Sequence, residues 1–311
     1  MLGQLKVLHY NMGKRKPVHW SVINDSDLEH FGAIAILEPY IYKDPADDTP
    51  TQGNHRNWNI FLPTTRRAEG HVRHSYRAAI WVNQGIQAQQ VPIDSYDIVA
   101  VNIPGKERDL LLVAAYDPAY CGIPSDQVEG GFREKIDKIG KTIDEAKGMG
   151  NARDHRTSVL LCTDFNRHHP LWTGYEKGFG GGGLHRTDPI IDLAASYDLR
   201  SLLPAGTITW EHQSGRLCST NDVIWANTEE EERLQTCQIY GRDHGSDHRP
   251  IEIHLEWEWE QQGSSYDEPR LDWKRADWKE IEAAVAYETD RSLRFPPPTS
   301  PYLLDAWVEG F

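Results

Sequence analysis

The chain has no apolar run long enough to cross a bilayer. The longest, Leu110 to Tyr116, falls far short of the roughly 20 residues a spanning helix needs, so no membrane partner is expected. Positive charge is also scarce: the formal net charge is −14 over 311 residues. That excludes a general electrostatic clamp on nucleic acid, which is basic. It still admits a nuclease, because carboxylates that hold a divalent cation are neutralised by it. Cysteine is sparse, and Cys121, Cys162, Cys218 and Cys237 form neither a Cys-x-x-Cys pair nor a zinc pattern. Scattered thiols in a reducing compartment are expected, not a disulfide framework. The glycine-rich segment 178–183 lacks the Lys and Ser/Thr of a phosphate-binding P-loop, so it receives no nucleotide role. Met1 to Lys6 runs straight into a strand-like segment with no room for a signal peptide. A nuclear or cytoplasmic, intracellular location is expected. No internal repeat is found.

What is present is ordinary globular material: 39% hydrophobic and 26% charged residues, ample for a sizeable core. Eleven Trp and thirteen Tyr exceed what a plain core needs, which leaves both core filling and stacking platforms open. Alternation or continuous apolar runs mark strands at Leu5–Asn11, Ala33–Leu37, Trp58–Leu62, Ala78–Val82, Ile98–Ile103, Leu110–Tyr116 and Ser158–Cys162. Further strands are expected at Thr207–Trp210, Val223–Ala226 and Ile251–Trp257. Helices are expected over Ser21–Phe31, Val128–Lys147 and Asp188–Tyr197, the last capped by Asp188 with Pro189 in its first turn. The Glu229–Glu232 run reads as a solvated loop. Residues 1–259 form one domain in this reading. Residues 260–311 are a polar linker followed by a helix, Trp278–Tyr287, and an extended proline-bearing tail. Strands interspersed with helices suggest a layered α/β sandwich.

The chemistry gathers at strand ends. Gly245-Ser246-Asp247-His248-Arg249-Pro250 sets a carboxylate beside an imidazole directly ahead of an alternating strand, a compact acid–base and metal-ligand pair on a rigid element. Asn11, Glu38 and Asp164 each close another apolar run.

These segments resemble one family, the endonuclease/exonuclease/phosphatase superfamily. The residues that carry the resemblance are His9-Tyr10-Asn11, Ile36-Leu37-Glu38-Pro39, Ala115-Tyr116-Asp117-Pro118, Thr163-Asp164-Phe165-Asn166, Ser219-Thr220-Asn221-Asp222 and Ser246-Asp247-His248. Asp164 to Trp172, Leu203-Pro204-Ala205-Gly206-Thr207 ahead of Thr209-Trp210, and Leu271 to Trp278 are similar to endonuclease domains of non-LTR retrotransposons and their downstream bridge. Relatives that repair abasic sites carry an acid two positions after the first Asn, where this chain has Gly13. The resemblance implies a four-layer α/β/β/α sandwich with two packed mixed β-sheets.

It also implies a Mg²⁺-dependent endonuclease, with Mn²⁺ as the alternative ion, that nicks DNA and leaves a 3′-hydroxyl. DNA is the implied partner, together with a downstream reverse transcriptase region of the same polyprotein. Glu38, Asn11 and Asp247 are the implied metal residues; a carboxylate and amide set suits a hard cation. Asp164 orients or deprotonates the attacking water, and Asn166 and Tyr116 donate to the phosphate. Asp222 orients His248, whose protonated ring stabilises the developing charge. Substrate contacts are expected from Thr209 and from His168, which with His169 also reads as loop packing. Arg66 and Arg67, grouped with Arg73 and Arg77, read either as a solvated loop or as a contact to a DNA backbone. A phosphatase or phosphodiesterase acting on a small phosphorylated or lipid substrate is the alternative, and a non-enzymatic binding scaffold is a third.

Overall fold

The computed structural model describes residues 2–44, 49–53, 55–66, 72, 75–118, 125–152, 155–174 and 184–258. The described residues fall in one unit, Met1–Gln261. The expectations for Arg67, Cys121, the glycine-rich segment and everything after residue 258 lie outside them.

From the N-terminus, β1 (Leu2–Asn11) leads through α1 (Lys16–Ile23) to β2 (Ala33–Leu37), followed by a small hairpin, β3 (Tyr42–Lys43) and β4 (Pro50–Thr51). Next come β5 (Trp58–Phe61), β6 (Ala78–Asn83), β7 (Gln89–Val91), β8 (Ile98–Pro104) and β9 (Arg108–Tyr116). The long α2 (Ser125–Ala152) precedes β10 (Arg156–Asp164), α3 (Pro170–Thr173), α4 (Asp188–Tyr197) and β11 (Leu199–Ser201). A second hairpin, β12 (Trp210–Glu211) and β13 (Cys218–Ser219), leads to β14 (Asp222–Asn227), α5 (Thr228–Glu231), β15 (Leu234–Ile239) and β16 (Ile251–Glu258).

Two six-stranded mixed sheets result, ordered β15-β16-β1-β2-β6-β5 and β11-β14-β10-β9-β8-β7. Strands of period two present alternate residues to opposite faces. In β1, Leu5 and Val7 enter the core between the sheets, while Leu8 and Tyr10 meet Val18 and Val22 of α1. In β10, Leu160 and Cys162 face the inter-sheet core, while Val159 and Leu161 meet α2 and α4. Helix α2 supplies Phe132, Ile136, Ile139, Ile143 and Ala146, a spacing of three and four that makes one apolar stripe. The four layers are therefore α1, sheet, sheet, and α2 with α4. Among the described residues no helix is long and apolar enough to cross a membrane.

Four local expectations are corrected. The first helix is Lys16–Ile23 instead of Ser21–Phe31, since Pro17 suits a first turn and Asn24 caps its C-terminal end. Asp25 accepts from the Asp27 amide and starts a separate 3₁₀ turn, Ser26–His30. Asp188 is the first residue of α4 and not its cap; Thr187 holds that place without a side-chain bond. Of the expected Thr207–Trp210 strand, only Trp210 lies within a strand. Within the acidic run Glu230 is not solvated: it sits in α5 with no exposure, whereas Glu232 is exposed. Glu230 accepts from Ser158 at 2.5 Å and pairs with Arg108 at 3.2 Å.

Candidate active site

Register makes the site. Strand β10 pairs in parallel with β9, setting Asp164 opposite Tyr116, and antiparallel with β14, setting Asp164 opposite Asp222. The three residues form one row across the second sheet, Tyr116 and Asp164 at the C-terminal ends of their strands and Asp222 at the start of antiparallel β14. On the first sheet, β1 and β2 run parallel with Asn11 opposite Leu37, so Glu38 follows at the same edge. Parallel strands thus deliver their C-terminal ends to one rim, where α/β folds place ligands.

The two sheets meet there through side chains. The Asn11 amide donates to Asp164 Oδ2 at 2.9 Å, and Asp164 Oδ1 accepts from the Asn166 backbone amide at 3.0 Å. Asn166 adopts a left-handed backbone (φ 51°), tolerable for Asn, and its side chain donates to the Asp117 carbonyl at 2.8 Å. Asp117 is fixed in turn by the buried Lys135, which also pairs with Asp97 at 2.9 Å and donates to the Tyr116 carbonyl.

His248 Nδ1 lies 2.7 Å from Asp222 Oδ2, and its Nε2 lies 3.9 Å from Asp164 Oδ2. The second Asp222 oxygen meets His9 Nε2 at 3.1 Å. Burial alone would push the His248 imidazole down; Asp222, Asp164 and Asp247 outweigh it and raise it to about 9. Burial would likewise raise Asp222, yet His248 and His9 hold its carboxyl below the ordinary range. Asp164 moves the other way, raised by burial and by the neighbouring Asp222 charge, which makes it a stronger base than an ordinary carboxylate. The Tyr116 phenol is raised well above its usual value by burial, with the Glu38 and Asp164 charges adding to it.

At the rim, Glu38 has a positive φ of 45°, a strained backbone for a non-glycine residue, and its carboxylate pairs with the Lys14 ammonium. Asp247 pairs with Arg15 at 3.1 Å and accepts from the Trp210 indole at 3.2 Å. Ser246 ties this loop to β1 by donating to the Asn11 carbonyl at 2.8 Å.

One acid and histidine set among the described residues, Asp164, Asp222 and His248, brings ligand atoms within 4.8 Å of one another. It is a poor cation site. Its oxygens already accept from Asn11, Asn166, His9 and His248, and all three side chains are buried. Glu38 and Asp247 are half-buried oxygen donors whose charges are met by a lysine and an arginine. With the Asn11 amide oxygen, which accepts from the Gly13 amide at 3.0 Å, they are oxygen groups of the kind a hard divalent cation takes.

The sequence-based site residues Asn11, Glu38, Tyr116, Asp164, Asn166, Asp222, Asp247 and His248 are thus brought together. Thr209 is corrected. It is fully buried, and its hydroxyl accepts from the Asn221 and Asp222 amides at 2.9 Å, so it positions Asp222 and does not face substrate. His168 is exposed beyond β10, and His169 caps α3. Arg66 is exposed; Arg77 turns inward to Asp97 at 3.7 Å. His9, Lys14, Arg15, Lys135 and Trp210 were not picked out as site residues. His9 carried a signal: period two sets it on the same face of β1 as Asn11.

Comparison with known proteins agrees with this geometry. The sequence profile of the family described as endonuclease-reverse transcriptase matches residues 124–252, which include Asp164, Asn166, Asp222, Asp247 and His248. That match spans less than half of the chain. Its fold is similar to the endonuclease domain of TRAS1, a telomere-specific non-LTR retrotransposon, with a TM-score of 0.57 and 19% identity over 81% of this chain and 98% of that one. The AP endonuclease LMAP of Leishmania major aligns with a TM-score of 0.61 and 12% identity, covering 81% and 88% of the two chains. The Xenopus laevis APE2 catalytic domain gives 0.60 and 14%, covering 82% and 93%. No curated protein matches the sequence. These likenesses are in the fold: the same kind of two-sheet sandwich is the scaffold here.

Proposed function

We propose that this protein is a divalent-metal-dependent DNA endonuclease that hydrolyses one phosphodiester of a duplex and leaves a 3′-hydroxyl. The observation that carries the reading is the single row Tyr116, Asp164, Asp222, closed by His248 and joined to Asn11 and Glu38 from the other sheet. The likeness to a retrotransposon endonuclease domain supports target-primed reverse transcription as the setting. In that setting a reverse transcriptase region of the same polyprotein uses the nick.

Glu38, Asn11 and Asp247 would hold Mg²⁺, or Mn²⁺ in its place, which when bound would supply polarisation of the phosphate oxygens. The rest is done by the chain's own groups. Asp164, fixed through both oxygens, takes the proton of the attacking water. His248, kept protonated by Asp222, donates to the oxygen on which charge accumulates. Tyr116 and Asn166 hold the phosphate in line. Asp222 is kept ionised by two imidazoles and never needs to leave its place.

Supercoiled plasmid and Mg²⁺ provide the test. Wild type is expected to produce open circles whose nicks a polymerase can extend, and His248→Ala to leave the plasmid supercoiled. Inert wild-type protein, or an active His248→Ala variant, defeats the reading. The net charge of −14 favours a second reading, a phosphatase or phosphodiesterase on a small substrate. Turnover of an inositol phosphate or sphingomyelin with no DNA cleavage would select it.

A further inference from the structure

The turn after β1 carries two cations that the reaction as described leaves unused. Gly13 and Lys14 both have left-handed backbones (φ 56° and 57°). The Lys14 amide donates to the Glu38 carbonyl at 2.7 Å, and the Arg15 amide to the Met12 carbonyl at 3.1 Å. This fold of the backbone lays the Lys14 ammonium on the Glu38 carboxylate. It sends the Arg15 guanidinium to Asp247 Oδ1 at 3.1 Å and to the Gly245 carbonyl at 3.1 Å. A Cβ at Gly13 would lie 3.6 Å from Asp247 Oδ1 and 3.5 Å from Arg15 Nε. An acidic side chain in that place would therefore share Arg15 with Asp247.

Each proposed metal carboxylate thus has a resident cation of the chain's own. The pairs are half-buried, with side-chain exposures of 22% and 16% for Lys14 and Glu38, and 35% and 26% for Arg15 and Asp247. That degree of exposure gives a real but exchangeable attraction, weaker than a fully buried pair and stronger than a free surface one. Arg15 also lines an open groove of about 690 Å³ beside Asp247 and His248, where a nucleic-acid backbone has room to lie.

We propose that Lys14 and Arg15 are exchangeable counter-ions: they hold Glu38 and Asp247 until a divalent cation takes those carboxylates, and then bind the phosphates of the DNA. This rests on the reading of Glu38 and Asp247 as metal ligands. An ammonium and a divalent ion cannot both sit against one carboxylate without strong mutual repulsion. The lysine's four-carbon stem lets its charge move several ångströms with no backbone change. A phosphate in the groove gives the displaced Arg15 charge a new partner. Cation and DNA then bind with positive coupling, and each must raise the affinity for the other by the same factor.

Calorimetric titration of Mn²⁺ into the full chain tests this, with and without a short DNA duplex, all in a His248→Ala background that stops turnover. Lys14→Met keeps the stem and removes the charge. It is expected to bind Mn²⁺ about 5-fold tighter without DNA, and to lose most of the enhancement that DNA gives the parent, a typical coupling being 5-fold or more. Lys14→Arg should behave as the parent. Two results separate the claims. Mn²⁺ binding that Glu38→Gln abolishes but Lys14→Met leaves unchanged or weakened overturns the exchange alone. No Mn²⁺ binding in either the parent or Lys14→Met overturns the metal reading and the exchange with it.

Discussion

The two halves of the site are built on opposite principles. The inner wall, His9, Asp164, Asp222 and His248, is buried, and its carboxylate oxygens are held by the two imidazoles, Asn11 and Asn166. The rim, Glu38 and Asp247, is half-exposed and its charges are met by flexible basic side chains. Burial strengthens each interaction in the wall and fixes protonation states in advance. Partial exposure at the rim lets charges be exchanged. One half is pre-organised for proton transfer, and the other is arranged to accept what arrives from solution.

If that contrast holds, Asp164→Asn breaks the molecule's chemistry most. Nicking should fall about 1,000-fold while Mn²⁺ affinity stays near wild type, since the wall does not hold the ion. An equal loss of metal binding would erase the distinction between wall and rim. A third region calibrates it. Glu230 is as buried as the wall but lies by Arg108 and Ser158, near the opposite ends of their strands from the catalytic row. Glu230→Ala strands the Arg108 charge and should cost about 3 kcal/mol of stability in chemical denaturation. Its nicking rate at saturating DNA should be unchanged, and a lowered rate would mean that burial alone sets activity.

His9→Ala removes one of the two imidazoles on Asp222. With a hydrogen bond to a charged group lost, kcat should drop about 10-fold with KM little altered. A change confined to KM would place His9 elsewhere in the scheme. The pH dependence follows from His248. Its folded value, about 9, lies above its ordinary 6.5, so its contribution to stability is complete below about 6.5. It fades as pH rises through about 9. Asp222 works in the other sense: its carboxyl is held low, so its contribution is present above the ordinary 3.8 and is lost as pH falls through its folded value. Activity that needs a protonated His248 should fall about tenfold per pH unit above about 9. The thermal midpoint of wild type should decline at alkaline pH and that of His248→Gln should not, and parallel curves would remove His248 as the cause. The smallest effect is expected at exposed Arg66. Arg66→Ala should weaken DNA binding about 2-fold and flatten its salt dependence, and an unchanged salt slope would leave Arg66 a solvated residue.

Most of the fold was legible because it is written in periodicity. Ala33–Leu37 and Asp188–Tyr197 match their expected bounds, and α2 only lengthens at its ends. The short strands β7, β11 and β15 escaped notice, since three to six mixed residues carry no clear period. Glu230 was misread because charge in a run looks solvated until its partner, 122 residues away, is known.

Alternation alone determined that His9 and Asn11 share a face, and apolar runs alone determined that Glu38 and Asp164 close strands. Local pattern reports which way a side chain points. It does not report which strand lies beside it, because register and sheet-to-sheet packing join residues far apart in the chain. The contacts His9 to Asp222, 213 residues apart, Asn11 to Asp164, 153 apart, and Lys14 to Glu38 were therefore decided only in the folded molecule.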